Sequence, residues 1–83
     1  IIIIPINIKG YYMTVKILSE NDFSNIEKLK KKFNVFRILY VTNHSKIKAV
    51  EFFNKDGVFR GFGKNSKVAF KKAKKSLKSY YQK

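Results

Sequence analysis

The run Gly61-Phe62-Gly63-Lys64-Asn65-Ser66-Lys67 sets two glycines and two lysines immediately ahead of a helical pattern. Backbone N–H groups at a helix start attract anions, glycines let an anion come close, and lysines add charge, so this spacing suits phosphate. The lysines then continue along the helix. Wound at about 100° per residue, Lys67, Lys71, Lys74, Lys75 and Lys78 fall within about 100° of arc, opposite Ala69, Phe70, Ala73, Leu77, Tyr80 and Tyr81. One face packs; the other is a lysine stripe with no acid on it, suited to holding a run of phosphates.

Other chemistries find little material. The five acids, Glu20, Asp22, Glu27, Glu51 and Asp56, are scattered among turns and helix starts, and neither a nucleophile elbow nor a phosphate-loop fingerprint occurs. There is no cysteine and a single histidine, His44, so neither a disulfide framework nor a protein metal site is expected. The chain is expected not to be an enzyme and to need no cofactor and no small-molecule substrate.

Charge narrows the partner. Nineteen Lys and Arg against five Asp and Glu give a formal net charge of +14 over 83 residues. Self-repulsion at that density opposes compaction unless a polyanion neutralises it. An anionic membrane is the competing partner, but the one long apolar run, Ile1 to Ile6, is interrupted by Pro5 and is too short to span. Nothing basic precedes that run, so no secretory or transit signal is expected. The opening Ile, in place of Met, is expected from a non-standard start codon, a trimmed terminus or a terminus lying further upstream. Ile, Lys, Asn, Phe and Tyr make up 47 of the 83 residues, all encoded by A/T-rich codons, and mitochondrial and plastid genomes are common A/T-rich examples.

The elements that must position these residues follow from periodicity. Ile1 to Ile8 and Tyr11 to Leu18 are rich in β-branched and aromatic residues and read as two extended pieces, with Pro5 placing the first at an edge or outside the sheet. Ser24 and Glu27 have capping-box spacing, and Phe23, Ile26, Leu29 and Phe33 share one side, predicting a helix from about Asp22 to Phe33. Val35 to Thr42 and Lys46 to Phe53 should pair as an antiparallel hairpin around Asn43-His44-Ser45. Val58 to Phe62 follows as a third strand, after a turn that Gly57 closes with a positive φ. The second helix runs from Asn65 or Ser66 to about Gln82. The expected fold is α+β: an antiparallel three- to five-stranded sheet with two helices packed on one face, residues 1–20 forming an N-terminal extended segment and 21–83 a basic α+β domain. A domain of this size has a thin core, and a partner is expected to supply part of its stability.

Residues 21–83 resemble a double-stranded RNA-binding domain, whose order is helix, three antiparallel strands, helix. GFGKNSKVAFKKAKKSL is similar to that family's ending: Gly61, Gly63, Lys67, Ala69 and Ala73 match its Gly-x-Gly, basic cluster and alanines four apart. The resemblance implies that Lys64, Ser66, Lys67 and Lys71 grip phosphates across the major groove and that His44 reaches the minor groove or a 2′-hydroxyl. Asn65, Lys74, Lys75 and Lys78 would extend this surface along the helix, and Lys46 would flank His44. DGVFRGFGKNSKVAFKKAKKSL is also similar to the related fold of small-subunit ribosomal protein family five. Ile38 to Gly57, with Thr42-Asn43-His44-Ser45, resembles the hairpin of family eleven. The implied function is that of a structural ribosomal protein, with ribosomal RNA and neighbouring ribosomal proteins as partners and the mitochondrion, or a plastid, as its place. A free-standing duplex-RNA or DNA-architectural module is the alternative, and a subunit of an organellar membrane complex a more distant one.

Overall fold

In the computed structural model, which describes residues 3–8, 11–43 and 48–82, the chain forms one five-stranded antiparallel sheet with two helices on one face. The order is β1 (Ile3–Ile8), β2 (Tyr11–Ile17), α1 (Ile26–Phe33), β3 (Arg37–Asn43), β4 (Lys48–Asn54), β5 (Gly57–Phe62) and α2 (Ser66–Tyr81). The strands lie in the sheet in sequence order, so every connection is local. The extended start of the chain is part of this sheet, because β2 pairs with β3 from Ile17↔Leu39 to Met13↔Asn43. Pro5 sits on edge strand β1, where a missing N–H interrupts no central ladder.

Alternation sorts the strand residues between two faces. Ile38, Phe52 and Phe59 lie opposite one another across β3, β4 and β5 and are buried beneath the helices with Val50 and Leu18. Ile26 and Leu29 of α1 and Ala69, Ala73 and Leu77 of α2 complete the same core. Each large aliphatic or aromatic side chain buried there contributes roughly 1.5–3 kcal/mol.

Helix α2 comes unusually close to the sheet. Gly61 lies on the helix-facing side of β5, opposite Val50, and a Cβ there would overlap the Ala73 amide nitrogen and lie 2.6 Å from the Ala69 carbonyl oxygen. A Cβ on Gly63 would lie 2.6 Å from the Ala69 nitrogen. Both glycines let the helix come close, and at Gly61 this corrects the sequence-based expectation of a phosphate: Gly61 is buried, and what approaches it is α2 itself. The positive φ expected at Gly57 is present, +135°, and closes the β4–β5 hairpin.

Helix α1 is shorter at its start than its periodicity predicts. The expected capping box does not form. Asn25 stands at the helix start with φ 67° and makes no side-chain cap, and Glu20 accepts a hydrogen bond from the Glu27 amide at 2.6 Å instead. Asp22 turns back, accepting from the Ser19 amide at 3.0 Å and pairing with Lys16 at 2.7 Å. The other end is closed by Asn34 at φ 55° and by the Val35 amide donating to the Lys30 carbonyl, a Schellman-type stop.

A buried amide ties the helix ends together. Asn54 Nδ2 donates to the Phe33 carbonyl at 3.0 Å and to the Tyr81 hydroxyl at 2.8 Å, and its Oδ1 accepts from the Asp56 amide at 2.8 Å. Tyr81 in turn donates to Asp56, and this bond lifts the phenol above its ordinary range. Tyr80 and Tyr81, expected on the packing face, do touch Phe59 with their rings but remain about half exposed, so they cover the core's margin.

Two outcomes test this packing. Gly61→Ala should destabilise the fold by roughly 3 kcal/mol or more, because the added methyl meets helix backbone that no rotamer change can move; urea unfolding measures it. The Lys16 ammonium holds Asp22 below its ordinary 3.8. A depressed carboxyl stabilises the fold above its unfolded pKa and ceases to do so as pH falls through the folded one. Asp22→Asn should therefore be less stable than wild type at pH 7, with the difference shrinking below about pH 5.

Candidate nucleic-acid interface

The lysine stripe is exposed because of how α2 seats. Ala69, Ala73 and Leu77, spaced four apart, are fully buried against β4 and β5, which turns Lys67, Lys71, Lys75 and Lys78 to solvent. Lys74 is half-buried at the margin facing α1. From Lys67 to Lys78 the helix rises about 16 Å, a length over which a duplex presents several phosphates.

Helix α1 adds lysines that were not among the expected site residues. Phe23 stacks on Phe70 with ring centroids 4.2 Å apart and planes 7° from parallel, while Phe70 meets Phe52 edge-on at 5.4 Å. This stack holds the approach to α1 beside α2. Between the helices runs an open groove of about 460 Å³, walled by Lys28 and Lys32 on one side and Lys74 and Lys78 on the other. Its floor is apolar, from Leu29, Phe33 and Phe70, and Ser24 and Asn25 stand at one end. Four lysines from two helices thus line one channel. The signal was present in the sequence as Lys28 and Lys32, four apart and flanking Leu29 and Phe33, but only the tertiary stack shows which neighbour they face.

The acids do not neutralise this surface. Among the described residues, Asp22 pairs with Lys16, Glu51 with Arg60 and Glu27 with Lys30, while Asp56 accepts from Tyr81 and Glu20 from the Glu27 amide. All five are occupied within the fold, and none reaches a lysine of α2. Like charges so arranged repel one another over about 8 Å at physiological salt unless an anion lies among them.

The expected residues divide into three groups. Lys67, Lys71, Lys74, Lys75 and Lys78 share the α2 face, and Lys64 stands exposed in the turn before the helix. Asn65 and Ser66 serve the helix start: Asn65 is the N-cap, its Oδ1 accepting from the Val68 amide at 2.9 Å, and Ser66 is the first helical residue. His44 and Lys46 lie outside the described residues. No group of His, Cys, Asp or Glu suited to a metal occurs among the described residues, and no helix among them is long and apolar enough to cross a membrane.

No family model, no curated protein and no solved structure matches this chain.

The cap assignment separates folding from binding at one residue. Asn65→Ala should cost about 1 kcal/mol of stability in thermal or urea unfolding. Asn65→Asp keeps an acceptor oxygen and should restore it. If neither variant changed stability, the side chain would not be capping.

Proposed function

We propose that this chain binds structured RNA through the joint lysine face of α1 and α2, as a structural constituent of an organellar ribosome, that of the mitochondrion first. The observation that carries the reading is the convergence of Lys28, Lys32, Lys74 and Lys78 on one groove while all five acids are engaged elsewhere. Such a surface binds a polyanion, and lysines hold phosphates as point charges, positioning the protein without reading sequence. RNA is favoured over DNA by the order helix, three antiparallel strands, helix across residues 26–81, which is the order of the domain the sequence resembles. The organellar ribosome rests on composition and on the resemblance to ribosomal families five and eleven.

A second reading, a free-standing duplex-RNA-binding module, is favoured by one feature. The core is continuous across both helices and three of the strands, and no buried side-chain polar atom among the described residues lacks a hydrogen-bond partner. Such a domain has the means to fold before RNA arrives.

The test is a titration of the purified chain with RNA duplex, single-stranded RNA and DNA duplex of equal length at two salt concentrations. Preference for the RNA duplex, with affinity falling steeply in salt, is expected. Equal binding to all three would leave charge as the only determinant. Replacing Lys28 and Lys32 by Gln should weaken duplex binding and reduce the magnitude of the slope of log K against log salt by about 0.9 for each phosphate that the variant no longer neutralises. An unchanged slope would confine the RNA contact to α2.

A further inference from the structure

The side of the sheet away from the helices has a different composition from the rest of the surface. Among residues of β2 to β5 whose burial is described, strand register arranges it in three rows. Val15, Val41, Ala49 and Phe62 stand side by side across β2 to β5. Beside them run Ile17, Leu39, Glu51 and Arg60, and then Arg37, Phe53 and Val58. No lysine occupies any of these positions in a chain that has 17. The row from Val15 to Phe62 is wholly apolar, and Phe62 and Val58 at the β5 margin are 53% and 46% exposed. Neither helix covers this face, since both pack into the core on the opposite side.

We propose that this face is the docking surface for a second protein, one that presents aliphatic side chains within an acidic rim. The face would serve in this way whether or not the lysine groove holds RNA. Phosphates are poor occupants, because the apolar row offers them no donors. A second copy is a poor occupant, because each copy carries +14 and would bring that charge against its own kind. Complementarity selects what remains. The only two arginines of the chain, Arg37 and Arg60, both stand on this face. Arg60 keeps half its side chain exposed while Glu51 accepts from its Nε, leaving the other guanidinium N–H groups for a carboxylate. An apolar centre edged by arginine is the composition of a protein interface, and an uncovered apolar sheet face marks such a site.

The test uses the full chain and three labelled octapeptides, alternating Val and Glu, Ser and Glu, or Val and Lys, followed by fluorescence anisotropy. The Val-Glu peptide should bind at least tenfold more tightly than either of the others. Phe62→Ser with Val58→Ser should reduce its affinity at least tenfold and leave duplex-RNA affinity within twofold; both residues are exposed, so the variant retains the core. Equal affinity for the Val-Glu and Ser-Glu peptides would reduce the interaction to charge and overturn the proposal. So would displacement of the Val-Glu peptide by single-stranded RNA, which would make the face a nucleic-acid surface. A dimer in sedimentation that the serine variant dissolves would assign the face to a second copy instead.

Discussion

The backbone of α2 rests almost directly on β5 at Gly61, and the orientation of the lysine face follows from that contact. With only the small side chains of Ala69 and Ala73 over Gly61, the helix backbone lies close against the strand, and Leu77 is buried in the core toward its far end. A larger residue at any of the three small positions would lift α2 and tilt its outer face. Close packing is thus what converts a helical lysine periodicity into a surface of defined direction. The same seating brings Phe70 to Phe23, which sets α1 alongside and forms the groove.

Electrostatics and packing oppose each other in this small domain, and the acids mediate. Nineteen basic residues destabilise the compact state through mutual repulsion. The five acids are engaged at structural joints: the turn into α1, the β4–β5 turn and the exposed side of the sheet. The contacts that stabilise the fold also draw the carboxylates away from the lysine face, and among the described residues none pairs with a lysine of α2. An RNA that fills the groove between the helices would relieve repulsion among its lysines and stabilise the domain by linkage.

Much of the architecture was legible in the sequence. Runs of β-branched and aromatic residues set four of the strands to within two residues, and β1 likewise, because period-two patterns bounded by turn residues leave few alternatives. Pro5 confined its strand to an edge or to a place outside the sheet, and the edge is where it lies, while the apolar spacing of α2 marked its ends. Three features were hidden for physical reasons. The start of α1 depends on the left-handed backbone at Asn25 and on Glu20 reaching from outside the helix, where capping-box spacing suggested a local solution. The glycines around Phe62 looked like a phosphate approach, because sequence cannot tell a backbone that nears a ligand from one that nears its own helix. Lys28 and Lys32 joined the candidate site only through an aromatic stack between residues 47 positions apart in the chain.

The central claim is that both helices present one anion-binding face and that the opposite side of the sheet takes no part in it. Lysine side-chain and backbone NMR shifts, followed while an RNA duplex is titrated into the chain, test this most directly. The account predicts that Lys28, Lys32, Lys67, Lys71, Lys74 and Lys78 move together and saturate at one stoichiometry, with Val15, Val41 and Phe62 unmoved. Shifts that centre on the sheet, or that spread evenly over every lysine of the chain, would contradict it.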